Sequence, residues 1–326
     1  MSKQKRVLVT GAGGFIGHHL VARLKRDGHW VRGVDIKLPE YEESAADEFK
    51  VLDLRKEEAC REATQDGIDE VYNLAADMGG IGYITAYHAA ISHNNILINA
   101  HMLEASRENG VPRFLFSSSA CVYNQAKQKD PDLKPLTEED AYPADPEPGY
   151  GWEKLFAEEL CHYYYKDYGL ETRIVRFHNV YGPLGTYQDG KEKAPAAISR
   201  KVALVADGGE IEVWGDGEQT RTFMYVDDCV EGLIRIMASD YRDALNLGTD
   251  EIVTINQLVD IVASVAGKQV NKRHIAGPQG VRGRNSDNTR LREVLGWEPS
   301  ISLAEGLAKT YPWIAAQVTV PEAIAA

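Results

Sequence analysis

The run Arg6-Val7-Leu8-Val9-Thr10 leads straight into Gly11-Ala12-Gly13-Gly14-Phe15-Ile16-Gly17 and then into a stretch of helical periodicity over residues 18–27. A short apolar strand, a glycine turn and a helix in that order leave little choice of fold. The glycines allow a sharp turn, close approach of backbone to a pyrophosphate, and tight packing of helix on strand. The helix start then offers unpaired N–H groups to an anion. Trp30–Asp35 reads as the second strand, ending in an acid close to the ~20-residue offset at which dinucleotide sites meet the ribose. A carboxylate at Asp35 accepts hydrogen bonds from a 2′-hydroxyl and repels a 2′-phosphate, which selects NAD over NADP. The plainer reading of Asp35 is a solvated turn acid.

Further strands are expected at residues 49–52, 70–74, 114–116 and 172–176, with helical patterns between them. Strands alternating with helices imply an α/β fold, a doubly wound and mostly parallel Rossmann sheet. Beyond Tyr181-Gly182-Pro183 the alternation loosens. Residues 1–184 with about 221–248 are expected to form the NAD-binding domain, and about 185–220 with 249–318 a smaller, discontinuous C-terminal lobe for substrate. A tail over 319–326 reads as disordered. The stretch 127–149, rich in Pro, Asp and Glu, reads as a surface excursion. Two long helices, over 92–109 and 154–168, either cover the sheet or pair with their copies in a second subunit.

The charge of −13 over 326 residues argues against non-specific binding to nucleic acid or an anionic membrane, since both need a basic surface. An anionic ligand therefore requires a local basic pocket. Cys60, Cys121, Cys161 and Cys229 lie far apart with no CxxC spacing, so no metal site and no disulfide framework is expected, and the reading is a reducing cytosol. Residues 1–9 are too short and polar for a signal peptide, and no apolar run approaches the ~20 residues of a membrane helix. The expectation is a cytoplasmic protein.

Two motifs carry chemistry. Ser117-Ser118-Ser119-Ala120-Cys121-Val122-Tyr123 reads as the polar end of a buried strand opening into a loop, where α/β proteins hold their ligands. Packing asks for no nucleophile-capable side chains there. In Tyr150-Gly151-Trp152-Glu153-Lys154, residues four apart share a helix face, so phenol and ammonium point the same way. A tyrosine of pKa ~10 is a poor base near neutrality, and a neighbouring cation favours its phenolate.

Together TGAGGFIG, SSSACVY, YGWEK and RFHNVYGP resemble the extended short-chain dehydrogenase/reductases that act on nucleotide sugars, over residues 5–313. The resemblance implies NAD as cofactor, held by Gly11, Gly14, Phe15, Ile16, Gly17, Asp35, Asp53, Leu54, Tyr150 and Lys154. It implies that Ser119, Tyr150 and Lys154 remove a sugar hydroxyl proton as hydride passes to NAD, and that two subunits form a homodimer. Within that group NLAADMGGIGYI (73–84), GKEKAPAA (190–197), EVWGDGEQTRTF (212–223) and GVRGRNSDN (280–288) are similar to the GDP-mannose 3,5-epimerases. That likeness implies oxidation at carbon 4 of GDP-mannose, proton exchange at carbons 3 and 5 by Cys121 and Lys193, and re-reduction to GDP-L-galactose, with GDP-L-gulose as the 5-epimer.

It also implies substrate contacts from Gly79, Asn179, Lys193, Lys201, Gln219, Arg282 and Arg284; the two arginines, set between glycines, would clamp the diphosphate. Inversion needs a proton removed on one face and returned on the other, so two acid–base groups must flank the ring. A thiol of pKa ~8.5 and a desolvated lysine suit that work. The plainer readings are a core thiol for Cys121 and a solvated charge for Lys193. A 4-epimerase has no use for either residue. A 4,6-dehydratase is expected to carry an acid near Ser119, where Cys121 stands. A non-catalytic NAD-binding regulator usually loses the tyrosine or lysine. Asn124 stands where many relatives have glycine, and residues 127–135 match no family segment.

Overall fold

The computed structural model describes residues 4–129, 134–277 and 280–319. In chain order the strands are β1 (Arg6–Thr10), β2 (Trp30–Asp35), β3 (Glu48–Val51), β4 (Glu70–Asn73), β5 (Arg113–Ser119), β6 (Glu171–Phe177), β7 (Asn179–Tyr181), β8 (Glu210–Trp214), β9 (Thr220–Tyr225), β10 (Ala244–Leu247), β11 (Ile252–Thr254), β12 (Asn271–Ile275) and β13 (Gly283–Arg284). The helices are α1 (Phe15–Arg26), α2 (Glu57–Ala63), α3 (Ile81–Ala86), α4 (His88–Glu108), α5 (Tyr150–Tyr168), α6 (Ala194–Leu204), α7 (Val226–Ala238), α8 (Ile255–Ala266), α9 (Thr289–Leu295) and α10 (Leu303–Thr319).

Seven strands form one all-parallel sheet in the order β10-β6-β5-β4-β1-β2-β3. The order reverses between β1 and β4, and a crevice opens beyond the strand ends at such a switch point. β1 is apolar at every central position because both its faces are covered. Val7 and Val9 pack with Leu20 and Val21 of α1 and Leu233 of α7 in one core, while Leu8 joins Met102 of α4 and Cys161 of α5 in another. Alternation along the strand thus feeds two helical layers.

A smaller four-stranded sheet is centred on β9, which takes β7 and β13 parallel and β11 antiparallel. β8 and β12 form a separate parallel pair. The stretch expected to return to the first domain at Arg221 stays in this second sheet through Tyr225; the chain rejoins the large sheet only at β10, which pairs with β6.

Several local readings shift for physical reasons. β5 runs on through Ser119 because β6 offers Val175, Arg176 and Phe177 as continuous partners, so the serines lie in the strand itself. α5 starts at Tyr150 and closes at Gly169, whose φ of 74° serves the left-handed cap. The acidic excursion is not simply surface: Gln128, Leu136, Glu138 and Ala141 are buried, and the Leu136 carbonyl accepts from Asn246 Nδ2 at 2.8 Å. Among the described acids of this stretch only Glu138 is buried, its carboxylate accepting from Asn246 N at 2.9 Å. Residues 130–133 of the unmatched stretch and 320–326 of the expected tail lie outside the described residues, while Thr319 ends α10.

Beneath β5 the Arg176 guanidinium meets Glu158 twice, at 2.9 and 2.7 Å, and the Ser118 hydroxyl donates to the same carboxylate. Both side chains are buried. Glu158→Ala leaves a guanidinium without its anion in the interior and is expected to cost about 3–5 kcal/mol. Urea unfolding of the variant beside the parent chain checks this; an unchanged midpoint would refute it.

Candidate active site

A cleft of about 660 Å³ lies across the carboxyl ends of β1, β2, β4, β5 and β6. Its floor is the glycine turn, with Gly11, Gly14, Phe15, Ile16 and Gly17 all lining it. A Cβ at Gly17 would lie 2.1 Å from the Gly11 carbonyl oxygen, so the helix start can sit this close to β1 only without a side chain. Gly14 caps α1 with no side-chain partner and no acid follows in the first turn, which leaves the N-terminal donors and dipole to a ligand phosphate. Asp35 lines the same cleft and accepts from Gly13 N at 3.0 Å and Ile36 N at 2.7 Å. Burial raises its carboxyl above the usual range, with these backbone donors opposing. Asp53 and Leu54 line the cleft too, although Arg55 holds the Asp53 carboxylate at 2.8 Å. Phosphate donors, a ribose acceptor and apolar walls fit NAD.

Ser119, Tyr150 and Lys154 meet at the inner end. The Tyr150 hydroxyl is hydrogen-bonded to Ser119. Lys154 is 1% exposed; its Nζ donates to the Ser117 carbonyl at 2.9 Å and lies 5.6 Å from the centre of the Tyr150 ring. The expectation that the lysine would lower the phenol is not met. Burial drives Tyr150 well above its ordinary value, Glu153 and Cys121 add to the rise, and only Ser119 opposes it. Burial also lowers Lys154, against the pull of Glu153. Glu153 is itself buried and raised by burial, and Asn95 and Asn99 of α4 hold it at 2.8 and 3.3 Å. This network ties the motif helix to α4.

Cys121 follows Ser119 in a single helical turn, its N–H donating to Ser119 Oγ at 3.2 Å. It is 8% exposed and packs with Tyr150, Ile84 and Ile91. The glycine of YGWEK explains the closeness: a Cβ on Gly151 would lie 2.3 Å from the Cys121 carbonyl oxygen. Lys193 caps α6 and lines the cleft. Burial pushes its amine down, with Cys121 first among the groups that raise it. Thiol, amine and phenol therefore share one electrostatic neighbourhood.

The expected substrate residues divide. Gly79 and Lys193 line the cleft; Asn179, Lys201, Gln219, Arg282 and Arg284 do not. Asn179 donates to the Thr222 carbonyl at 3.1 Å, Lys201 to the Glu212 carbonyl at 2.7 Å, and the buried Gln219 to the Trp214 carbonyl at 3.3 Å. Arg282 grips Asp216 at 2.9 and 3.1 Å, and Arg284 turns to Gln128 and Cys121. The paired diphosphate clamp is thus not assembled by these two side chains. Three residues that the motifs did not single out, Lys37, Lys191 and His178, line the cleft; Arg221, outside that lining, is pushed down to about 9 by burial beside Arg284 and Arg282. Arg221 and His178 stood inside the matched segments, but nothing in their spacing marked them.

Residues 7–248 match the family described as NAD dependent epimerase/dehydratase. The chain is 49% identical over 319 residues to GDP-mannose 3,5-epimerase of Arabidopsis thaliana, covering 97% of this chain and 84% of that one. It is 30% identical to UDP-glucuronic acid decarboxylase 1 of Xenopus tropicalis, covering 94% and 71%. Among solved structures, UDP-glucose 4-epimerase of Thermotoga maritima with UDP-glucose superposes with a TM-score of 0.86 at 29% identity, covering 96% of this chain and 99% of that one. The Thermus thermophilus UDP-glucose 4-epimerase complex with NAD gives 0.81 at 26%, covering 95% and 98%. With a match over most of its length, a cleft built for a dinucleotide and the serine–tyrosine–lysine constellation beside it, this chain belongs to the NAD-dependent epimerase/dehydratase family.

Proposed function

We propose that this chain is a GDP-mannose 3,5-epimerase, giving GDP-L-galactose, with GDP-L-gulose as the 5-epimer. The observation that carries the reading is the approach of a buried thiol, Cys121, and a half-buried lysine, Lys193, beside the Ser119–Tyr150 hydroxyl pair. The Arabidopsis relative's name supports it. Neither residue has work to do in a 4-epimerase.

Bound NAD supplies the chemistry of taking hydride from carbon 4 and returning it. Tyr150 accepts the carbon-4 hydroxyl proton, with Ser119 holding the phenol oxygen in line. Burial, Glu153 and Cys121 all raise Tyr150 and Ser119 opposes them, so Ser119 is the group that favours its phenolate, while the Lys154 ammonium stands 5.6 Å from the ring centre. The ketone at carbon 4 acidifies the C–H bonds at carbons 3 and 5. Cys121 and Lys193 then remove a proton on one face and return one on the other. Burial brings Lys193 below the ordinary lysine value of 10.5, which makes its free amine accessible nearer neutrality. We place the protein in the cytoplasm as a homodimer; Trp152, Phe156 and Tyr163 form an exposed stripe on α5 that a second subunit would cover.

Incubation with GDP-mannose in deuterated water is expected to label carbons 3 and 5, read by NMR. Saturating substrate and bound NAD with neither carbon labelled would sink the reading.

A further inference from the structure

Lys193 enters the cleft from the start of α6, where its carbonyl accepts from Ala197 N at 3.0 Å. On its other side the chain arrives through Asp189 and Gly190, both left-handed at φ 71° and 76°, in a turn outside any strand or helix. Two side-chain contacts and one glycine hold that approach. The Lys191 ammonium lies 4.3 Å from the centre of the Tyr83 ring, and Glu192 pairs with Arg200 of α6 at 3.3 Å. Gly80, which caps α3, sits so close that a Cβ there would lie 3.1 Å from the Glu192 carbonyl oxygen. Its φ of −66° is open to any residue, so the glycine serves this approach and not a turn. Tyr83 in turn is a fixed post. Its hydroxyl donates to Asp77 Oδ1 at 2.8 Å, Asn94 Nδ2 donates to the other carboxylate oxygen at 2.8 Å, and Asn95, buried in α4, bonds the Asp77 N–H and carbonyl at 2.6 and 3.1 Å.

We propose that Tyr83 is a positioning residue for Lys193: its ring latches Lys191, and this latch, with the Glu192–Arg200 pair, fixes the backbone from which the Lys193 amine reaches into the cleft. The two lysines are two residues apart, so a shift of one carries the other with it. Misplacing a reacting group by about an ångström can cost ~10²-fold in rate. Lys191 is exposed, and an exposed cation over an aromatic ring is worth only about two- to fivefold in an equilibrium. The latch therefore acts by setting how much of the time Lys193 stands where it works. Its consequence for catalysis rests on the epimerase reading; the latch itself does not. Tyr83 also packs against the cluster of Ile84, Ile91, Cys121 and Tyr150, so its removal alone would not isolate Lys193. Replacing Lys191, which lies outside that cluster, does.

The test combines NMR of the holoenzyme carrying isotope-labelled lysine with isotope exchange, using Tyr83→Leu, Tyr83→Phe, Lys191→Met and the Tyr83→Leu/Lys191→Met pair. Without sugar, the Lys191 side-chain signals, assigned through Lys191→Met, are expected to be displaced by the ring and to lose that displacement in Tyr83→Leu. The Lys193 signals, assigned through Lys193→Arg, should move in Tyr83→Leu and in Lys191→Met alike, and Tyr83→Phe, which keeps the ring, should restore both. With saturating GDP-mannose, deuterium wash-in at carbon 3, carbon 5 or both is expected to fall about two- to fivefold in Lys191→Met while carbon-4 oxidation, seen as NADH absorbance, keeps the parent's rate. The double variant should be no worse than Tyr83→Leu alone, because two ends of one contact do not add. Lys191→Met carries the test if Tyr83→Leu does not fold. Lysine spectra that do not respond to loss of the ring overturn the proposal, and so do losses that multiply in the double variant. A higher KM for GDP-mannose with wash-in unchanged at saturation overturns it too, making Lys191 a ligand of the nucleotide sugar. Spectra that move as expected in a protein that labels neither carbon keep the latch and refute the epimerase reading instead.

Discussion

Replacing Cys121 with alanine is expected to cut deuterium wash-in at carbon 3, carbon 5 or both by about 10²–10⁴-fold, the usual worth of a positioned acid–base group. Carbon-4 oxidation should survive, because Tyr150, Ser119 and Lys154 keep their contacts with each other and with the Ser117 carbonyl. The two readouts, isotope at the carbons and NADH absorbance, thus separate in one sample. The structural cost is modest: the site loses one sulfur from a small cluster with Tyr150, Ile84 and Ile91, and the glycine contact behind it involves only the Cys121 carbonyl. Thermal unfolding of the variant tells a lost proton carrier from a collapsed site. Undiminished labelling at both carbons would return Cys121 to the role of a core thiol.

Lys193→Arg is the sharper companion. Arginine keeps the positive charge and most of the length, so any role as an anchor for ligand charge should persist; it cannot release its proton near neutrality, so a role in proton exchange should not. Wash-in is expected to fall by a comparable ~10²–10⁴-fold while KM changes far less. The pH profile gives a second reading with a defined sign. Burial holds the Lys193 ammonium below 10.5, so a step that needs the protonated amine fails as pH rises through that lowered value, earlier than for an exposed lysine. A step that needs the free amine gains over the same window. In Lys193→Arg that limb should vanish. A variant retaining both rate and limb would exclude Lys193 from the chemistry.

The readable parts of the site were the ones built locally. Gly11 to Gly17 and the Tyr150–Lys154 pair declare themselves because a turn and a helix fix their geometry within a few residues. The tyrosine's electrostatics did not follow from the same spacing. The lysine stands where the helix puts it, but its ammonium bonds the Ser117 carbonyl, and burial of the phenol outweighs the neighbouring charge. β5 likewise ran three residues past its apolar stretch because β6 paired with the serines.

Order along the chain determined the Rossmann sheet, the cofactor turn and the strand end at which Ser119 and Cys121 meet, since hydrophobic period and turn chemistry are short-range properties. Only the tertiary structure decided what the arginines do. Arg282 and Arg284 read as an equivalent pair between glycines, yet one closes on Asp216, 66 residues away, and the other on Gln128 and Cys121, 156 and 163 residues away. A guanidinium's partner is set by which anion or acceptor the packed chain brings within about 3 Å, and separations of that size carry no signal in local spacing.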